Sequence, residues 1–175
     1  IRATAYEGLS IDGIGTMTLA SGTTTVNAVC SVTGANLAIG SETLLLTADP
    51  ADNAAPLSVA SGITSGSDGT VHYQQTGAGT VSIAAVTSYV AVNLDTTNAG
   101  ASFVTTGVTT LAGTLTLTDG GTDPVLSLAA GKLTIPQISG TSGTLTPGSQ
   151  DVEFTGTGTV FTGTLTLTNP TTASN

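Results

Sequence analysis

Charge is what this sequence most lacks. Of its 175 residues 7% are charged, and Arg2 and Lys132 are the only Lys or Arg against 11 carboxylates, for a formal net charge of −9. Binding nucleic acid by neutralising phosphates needs several Lys or Arg side chains, so that partner is excluded. Attraction to an anionic membrane surface through a polybasic patch is excluded on the same ground. The carboxylates (Glu7, Asp12, Glu42, Asp49, Asp52, Asp68, Asp95, Asp119, Asp123, Asp151 and Glu153) are scattered without an acidic run, the pattern of a solvated surface. Cys30 stands alone, so no intrachain disulfide is possible, and its alternating setting NAVCSVTG predicts a buried small hydrophobe. With one His and one Cys in the chain, zinc finds no ligand set. Aromatics are 3% and Trp is absent, so a core cannot gather around large rings. No stretch reaches the roughly 18 consecutive apolar residues of a membrane helix, and no membrane insertion is expected. The first residue is Ile1 and not Met, which suits a processed mature form or a fragment.

What is present is Thr and Gly, 37 and 23 residues, together about a third of the chain. Hydrophobic residues make up 39% and the mean hydropathy is +0.34, too apolar for intrinsic disorder. Thr favours pleated strands and Gly supplies the corners between them, so the chain reads as all-β, with a thin core of Val, Leu, Ile, Ala and Thr methyls. The best helical window, DPADNAAPLSVA at 49–60, is interrupted by Pro50 and Pro56 and reads as a loop or a single turn. Elsewhere the period is two. Met17 and Leu19 oppose Thr16 and Thr18, Leu115 and Leu117 alternate with Thr114, Thr116 and Thr118, and GTLTLTN repeats the pattern at Leu165 and Leu167.

The chain also resembles itself. TGAGTV at 76–81 matches TGTGTV at 155–160, an offset of 79, and YEGLSID at 6–12 matches YVAVNLD at 89–95, an offset of 83. LASGTTTVNAVCSVTG matches GVTTLAGTLTLTDGG, and NLAIGSETLLLT matches VLSLAAGKLTI, in the same order. One all-β domain over 1–175 is expected, built of two imperfect copies at approximately 6–88 and 89–175. The tail holds the first half of an inner segment and the head its second half, so chains laid end to end would rebuild it.

Short Thr/Val/Leu strands punctuated by Gly suit a β-solenoid, whose coils stack about 4.8 Å apart. At roughly 20 to 25 residues per coil the chain would make about seven or eight coils. An open solenoid end exposes unpaired backbone and an apolar cross-section, and no capping helix is recognisable at either end. The alternative is a β-sandwich or jelly roll of about ten strands completed by a strand donated from a neighbour. Either way the contacts expected between subunits fall on the apolar residues of the two terminal segments: Ile1, Tyr6, Leu9 and Ile11 at the head, Val160, Phe161, Leu165 and Leu167 at the tail.

Gly69-Thr70-Val71, Tyr73, Tyr89, Leu111-Ala112-Gly113 and Thr114-Leu115-Thr116-Leu117 together resemble the repeats of secreted bacterial β-helical surface proteins, the filamentous-haemagglutinin and autotransporter-passenger adhesins. The resemblance covers about two thirds of the chain. It implies an extracellular structural or adhesive role without catalysis. Such proteins are far longer, so this chain would act as a subunit or a fragment.

Candidates for chemistry are few. His72, in TVHYQQ, points away from the Val71 and Tyr73 face, and no Gly-x-Ser-x-Gly elbow presents a nucleophile to it. A glycan-active β-helix enzyme needs acids and bases clustered along a groove, which two cations cannot furnish. Calcium has two possible sites, Asp49, Asp52 and Asn53 in DPADN and Asp119 and Asp123 in DGGTD, neither with EF-hand spacing; Asp and Asn in such turns more often cap the turn themselves. The expected function is a non-enzymatic extracellular or cell-surface structural subunit that assembles with itself, head to tail, into a filament, fibre or sheath. The alternative is an adhesive module of a larger adhesin, binding glycan or a cell surface.

Overall fold

A computed structural model of the chain describes residues 1–60, 63–64, 69–86, 89, 91–161, 164–167 and 173–174, with side chains for all of these except 64, 157–161 and 173–174. It is a β-solenoid of about seven turns, with 58% of residues in strands and 3% in helix. Among the described residues every strand ladder is parallel. The antiparallel sandwich completed by a donated strand is therefore not the architecture adopted.

The chain winds past three faces in turn. The first coil runs β1 (Ala5–Tyr6), β2 (Leu9–Asp12) and β3 (Thr16–Thr18), and the second β4 (Thr23–Val26), β5 (Cys30–Thr33) and β6 (Asn36–Ala38). The third carries β7 (Thr43–Ala48), a single helical turn α1 (Pro50–Asn53), β8 (Leu57–Val59) and β9 (Ile63–Thr64). In the fourth, β10 (Thr70–Gln75) and β11 (Gly79–Ile83) are followed by Tyr89, which bridges to Leu111. The fifth is β12 (Ala91–Thr96), β13 (Ala101–Thr105) and β14 (Thr109–Thr110); β15 (Thr114–Asp119) and β16 (Val125–Leu128) open the sixth. From there two long strands round a corner. The first part of β17 (Leu133–Gly140) closes the sixth coil and its second part opens the seventh, which continues through β18 (Gly143–Thr146) into β19 (Val152–Phe161). The second part of β19, with β20 (Leu165–Leu167) and β21 (Ala173–Ser174), forms the last level.

Along the first face coil length varies between 20 residues (Thr23 beside Thr43) and 27 (Thr43 beside Thr70), with 23 from Val92 to Leu115. The longest coil is the one that accommodates α1. There the second-face ladder β2-β5-β8 gives way to β11-β13-β16-β18-β20, and the step is bridged by Ser82 N–H donating to the Ala54 carbonyl at 2.7 Å. The bend inside β17 falls at Pro136, where the register with β19 slips between Ile135 and Gln137. Proline has no N–H to give the ladder, so a corner is where a sheet tolerates it.

Alternation sets which side chains enter the core. On the first face Tyr6, Val26, Leu46, Tyr73, Leu94, Leu117 and Gly140 follow one another in register from coil to coil, and the next column runs Thr24, Leu44, Val71, Val92, Leu115 and Ile138. From Val26 to Leu117 these positions are almost entirely buried. On the second face Val81, Phe103, Leu126 and Leu145 form a comparable buried column. A column of this kind replaces a centred core: each apolar side chain is covered chiefly by the coil above and the coil below. Cys30 is fully buried among them, and burial pushes its thiol up to about 11.

The two self-similar segments serve the same local need on different faces. Residues 76–81 carry the chain from the first face into β11, and a Cβ at Gly77 would lie 2.3 Å from Asp49 Oδ1 of α1's N-cap. Residues 155–160 lie inside β19, and a Cβ at Gly156 would lie 2.6 Å from the Pro136 carbonyl oxygen. In both places a glycine clears a proline-bearing corner in the coil beneath. Leu19 and Leu111, by contrast, both precede a first-face strand and are both buried.

Candidate functional site

Three places gather the residues singled out in the sequence: the two ends of the stack, the outer strip of the first face, and the corners that carry carboxylates.

The ends hold the apolar residues of the terminal segments. At the head, the Ile1 ammonium donates to the Thr18 carbonyl at 2.8 Å while its own carbonyl accepts from Ala20 N–H at 2.6 Å, which ties the terminus to the first coil. Ile1, Tyr6 and Leu9 are half-buried there, and Ile11 is buried. At the tail, Val160 and Phe161 lie in β19, described at the backbone only, and Leu165 and Leu167 follow in β20. The structure thus separates the eight residues into two groups at opposite ends. Each end also leaves one inward column open: Met17 is 46% exposed at the head and Leu167 48% at the tail. Leu167 pairs with Leu145 below it, and Met17 with Leu37 above it.

The outer strip of the first face is a polar ladder. Thr116 and Ser139 hydroxyls meet at 3.3 Å, Thr114 Oγ1 donates to Gln137 Oε1 at 3.2 Å, and Thr118 Oγ1 donates to Asn93 Oδ1 at 2.8 Å. His72 lies in register between Leu45 and Asn93, and its Nε2 is 3.5 Å from Asp95 Oδ2, which also accepts from Gln74 Nε2 at 3.3 Å. Burial lowers the His72 pKa from its ordinary value, with the Asp95 charge and hydrogen bond acting against that. Asp95 is itself buried, its Oδ1 without a hydrogen-bond partner beneath Gly120. The other apparent chemical pair, Tyr73 and Tyr89, is core: the hydroxyls meet at 2.9 Å, and Tyr89 donates onward to the Ala84 carbonyl at 3.1 Å. Burial pushes both phenols up.

At the corners the structure uses Asp and Asn as hydrogen-bonding groups. Asp49 is the N-cap of α1, its Oδ1 accepting from Ala51 N–H at 3.1 Å. Asn53 is buried with its amide fully engaged. Nδ2 donates to the carbonyls of Ala28, Thr47 and Asn27 at 2.8, 3.0 and 3.3 Å, and Oδ1 accepts from Asp49 N–H at 2.7 Å. It is a staple between the second and third coils. Asp52 contributes its backbone N–H to the Asp49 carbonyl. Asp119 Oδ1 accepts from Gly121 N–H at 2.8 Å, and Asp123 Oδ1 accepts from the Ser142 hydroxyl. Among the described residues no three His, Cys, Asp or Glu side chains come close enough to hold a metal ion.

Asn53 stands in the sequence both as a turn-capping residue, the more usual role in such a turn, and as a possible calcium ligand. The contact of His72 with Asp95 lies diagonally across one coil, where His72 stands in register with Asn93, and becomes visible only once the register is known. No helix among the described residues is long and apolar enough to cross a membrane. No family model, no curated protein and no solved structure matches the chain.

Proposed function

We propose that this chain is a non-enzymatic structural subunit of an extracellular filament, fibre or sheath, joined head to tail with further copies of itself. The observation that carries the reading is that each end of the stack leaves an inward-facing hydrophobe uncovered, Met17 on the third face at the head and Leu167 on the second face at the tail, while the first-face ladder runs from one end to the other. Both ends also present the edge strands of parallel sheets, β1, β2 and β3 below and β20 and β21 above. Apolar columns and free strand edges at both ends of one rod are complementary by construction, because each is a slice through the same repeating cross-section. The polar, weakly charged outer ladder and the scarcity of lysine suit a surface that faces water and offers few sites to trypsin-like proteases. Negative-stain microscopy and sedimentation of the purified chain at neutral pH test the reading. Long polymers of uniform width are expected, and a monomer that persists at high protein concentration overturns it.

A second reading is favoured by the same open ends, because further coils of a longer chain would cover them equally well. The protein would then be a stretch of a surface adhesin whose outer ladder contacts a glycan or a cell surface. A monomeric chain that binds glycans on an array would support it.

A further inference from the structure

Granting the head-to-tail reading on which it rests, we infer that the junction continues the coil ladder without a break, with Tyr6 of one copy over Phe161 of the next, Leu9 over Leu165 and Ile11 over Leu167. The register follows from pairings already present inside the chain. Phe161 ends the first-face column that begins at Tyr6 and passes through Val26, Leu46, Tyr73, Leu94, Leu117 and Gly140. Placing another Tyr6 on Phe161 adds one more member to that column.

The corner into the second face then fixes the rest. Between the first two coils, Tyr6 pairs with Val26 and Leu9 with Cys30, although the lower corner spans 3 positions and the upper 4. Phe161 and Leu165 are separated by the same 4 positions as Val26 and Cys30. The same pair of corner lengths, 3 and 4 positions, therefore meets at the junction, with the shorter one above instead of below. Parity agrees. Leu9 and Ile11 are inward members of β2, continuing to Cys30 and Val32, while Leu165 and Leu167 stand in register with Gly143 and Leu145. Ser10 and Thr166 are the outward residues between them, and both are exposed.

The occupant is a second copy because the surface offered at each end is this fold's own repeating interface, the one that already joins each coil to the next. Where neighbouring strands stand about 4.8 Å apart, paired outward positions lie within disulfide reach. The test is a chain carrying Ser10→Cys and Thr166→Cys, oxidised mildly after assembly and run on a non-reducing gel. Cys30 stays as it is, since it is fully buried and its thiol is raised to about 11. A ladder of covalent dimers, trimers and higher multimers is expected, absent from Ser10→Cys alone and from a Ser10→Cys and Thr144→Cys control, whose second cysteine lies one coil lower. Wild-type polymers supply an independent measure. First-face strands stand at eight levels, so the axial rise per subunit in cryo-electron microscopy should be about 38 Å, eight strand spacings. Polymers with a different rise, or cross-linking in the Thr144 control instead, overturn this register and leave head-to-tail assembly standing. A wild-type chain that forms no polymer overturns both.

Discussion

Leu37 and Met17 are neighbours in one inward column of the third face, one coil apart, yet Leu37 is fully buried and Met17 is 46% exposed. The second face repeats the contrast at its other end, with Leu145 1% and Leu167 48% exposed. All four are inward-facing hydrophobes of similar size on parallel strands. What differs is the number of coils that cover them, two for the interior residues and one for the terminal ones. At these two columns burial follows from having a neighbour on both sides, whereas Ile11, in the same end coil as Met17, is sealed at 4% exposure. At Met17 and Leu167 the end coil lacks one of the two partners that an interior coil has.

The largest expected effects set these two regions against each other. Leu37→Ala and Leu145→Ala remove side chains sealed between two coils and should each destabilise the fold by about 3 kcal/mol, through lost transfer free energy and an unfilled cavity. Met17→Ser and Leu167→Ser should shift stability by less than about 1 kcal/mol, in line with partly exposed positions, while sharply reducing polymer mass in sedimentation. Equal losses of stability at interior and end positions, by denaturant unfolding, would break the comparison. Unchanged polymer mass in the end variants would break the assembly reading instead.

Next in size is the contrast between the two Asp/Asn corners. Asn53→Ala leaves three carbonyls and the Asp49 N–H without their partner in a buried place and should cost about 2–3 kcal/mol. Asn53→Asp should be worse, since it turns a carboxylate toward those carbonyls. Asp119→Ala removes one exposed hydrogen bond to Gly121 N–H and should cost about 0.5 kcal/mol. If added calcium stabilised the wild type and Asn53→Ala abolished that gain, Asn53 would be a ligand and not a staple.

The fold was legible in the sequence to the extent that it depends on local rules. Two-residue alternation at Leu115 and Leu117 announces strands with one apolar side, and the Thr/Gly composition with few aromatics announces a thin core. What the residues did not reveal was coil length, because the corners consume between few and many residues at no fixed period. The α1 insertion lengthens the third coil, and β17 and β19 run through a corner as continuous strands, marked only by Pro136 and Gly156. For the same reason the match of 76–81 with 155–160 joins segments on different faces: their shared glycines answer a shared steric need. His72 and Asp95 were both visible as residues, but their contact required the register. Ile1, Tyr6, Leu9 and Ile11 and Val160, Phe161, Leu165 and Leu167 are legible as the apolar residues of the two terminal segments, and the coil order puts these segments at opposite ends of the stack.

A smaller effect belongs to His72. Burial lowers its folded pKa, so between the folded and unfolded values the unfolded chain binds more protons. The stabilisation is therefore present above the unfolded value of about 6.5 and is lost as pH falls through the folded pKa. Charged imidazole would gain attraction to Asp95, the carboxylate that faces it, which limits the loss. Thermal unfolding between pH 8 and 5 should show a modest decline in the wild type that His72→Gln flattens. A wild-type Tm that rises toward pH 5 would mean that the Asp95 pairing outweighs burial.

The smallest effect is expected at the shortest ion pair. Lys132 Nζ lies 2.7 Å from Glu153 Oε2 across adjacent coils of the third face, and the Lys132 hydrogen bond and charge hold the Glu153 carboxyl below its ordinary value. A depressed carboxyl adds stability above its unfolded pKa and loses it as pH falls. Both side chains are 44% exposed, however, so water and salt screen the attraction, and ordering two long side chains offsets much of what remains. The strands beneath the pair are already held by the Leu133–Val152 and Ile135–Phe154 register, which does not depend on charge. Lys132→Met should therefore leave Tm nearly unchanged at low and at high salt. A drop of several degrees that disappears in high salt would show that charge, and not the ladder, holds this part of the third face together.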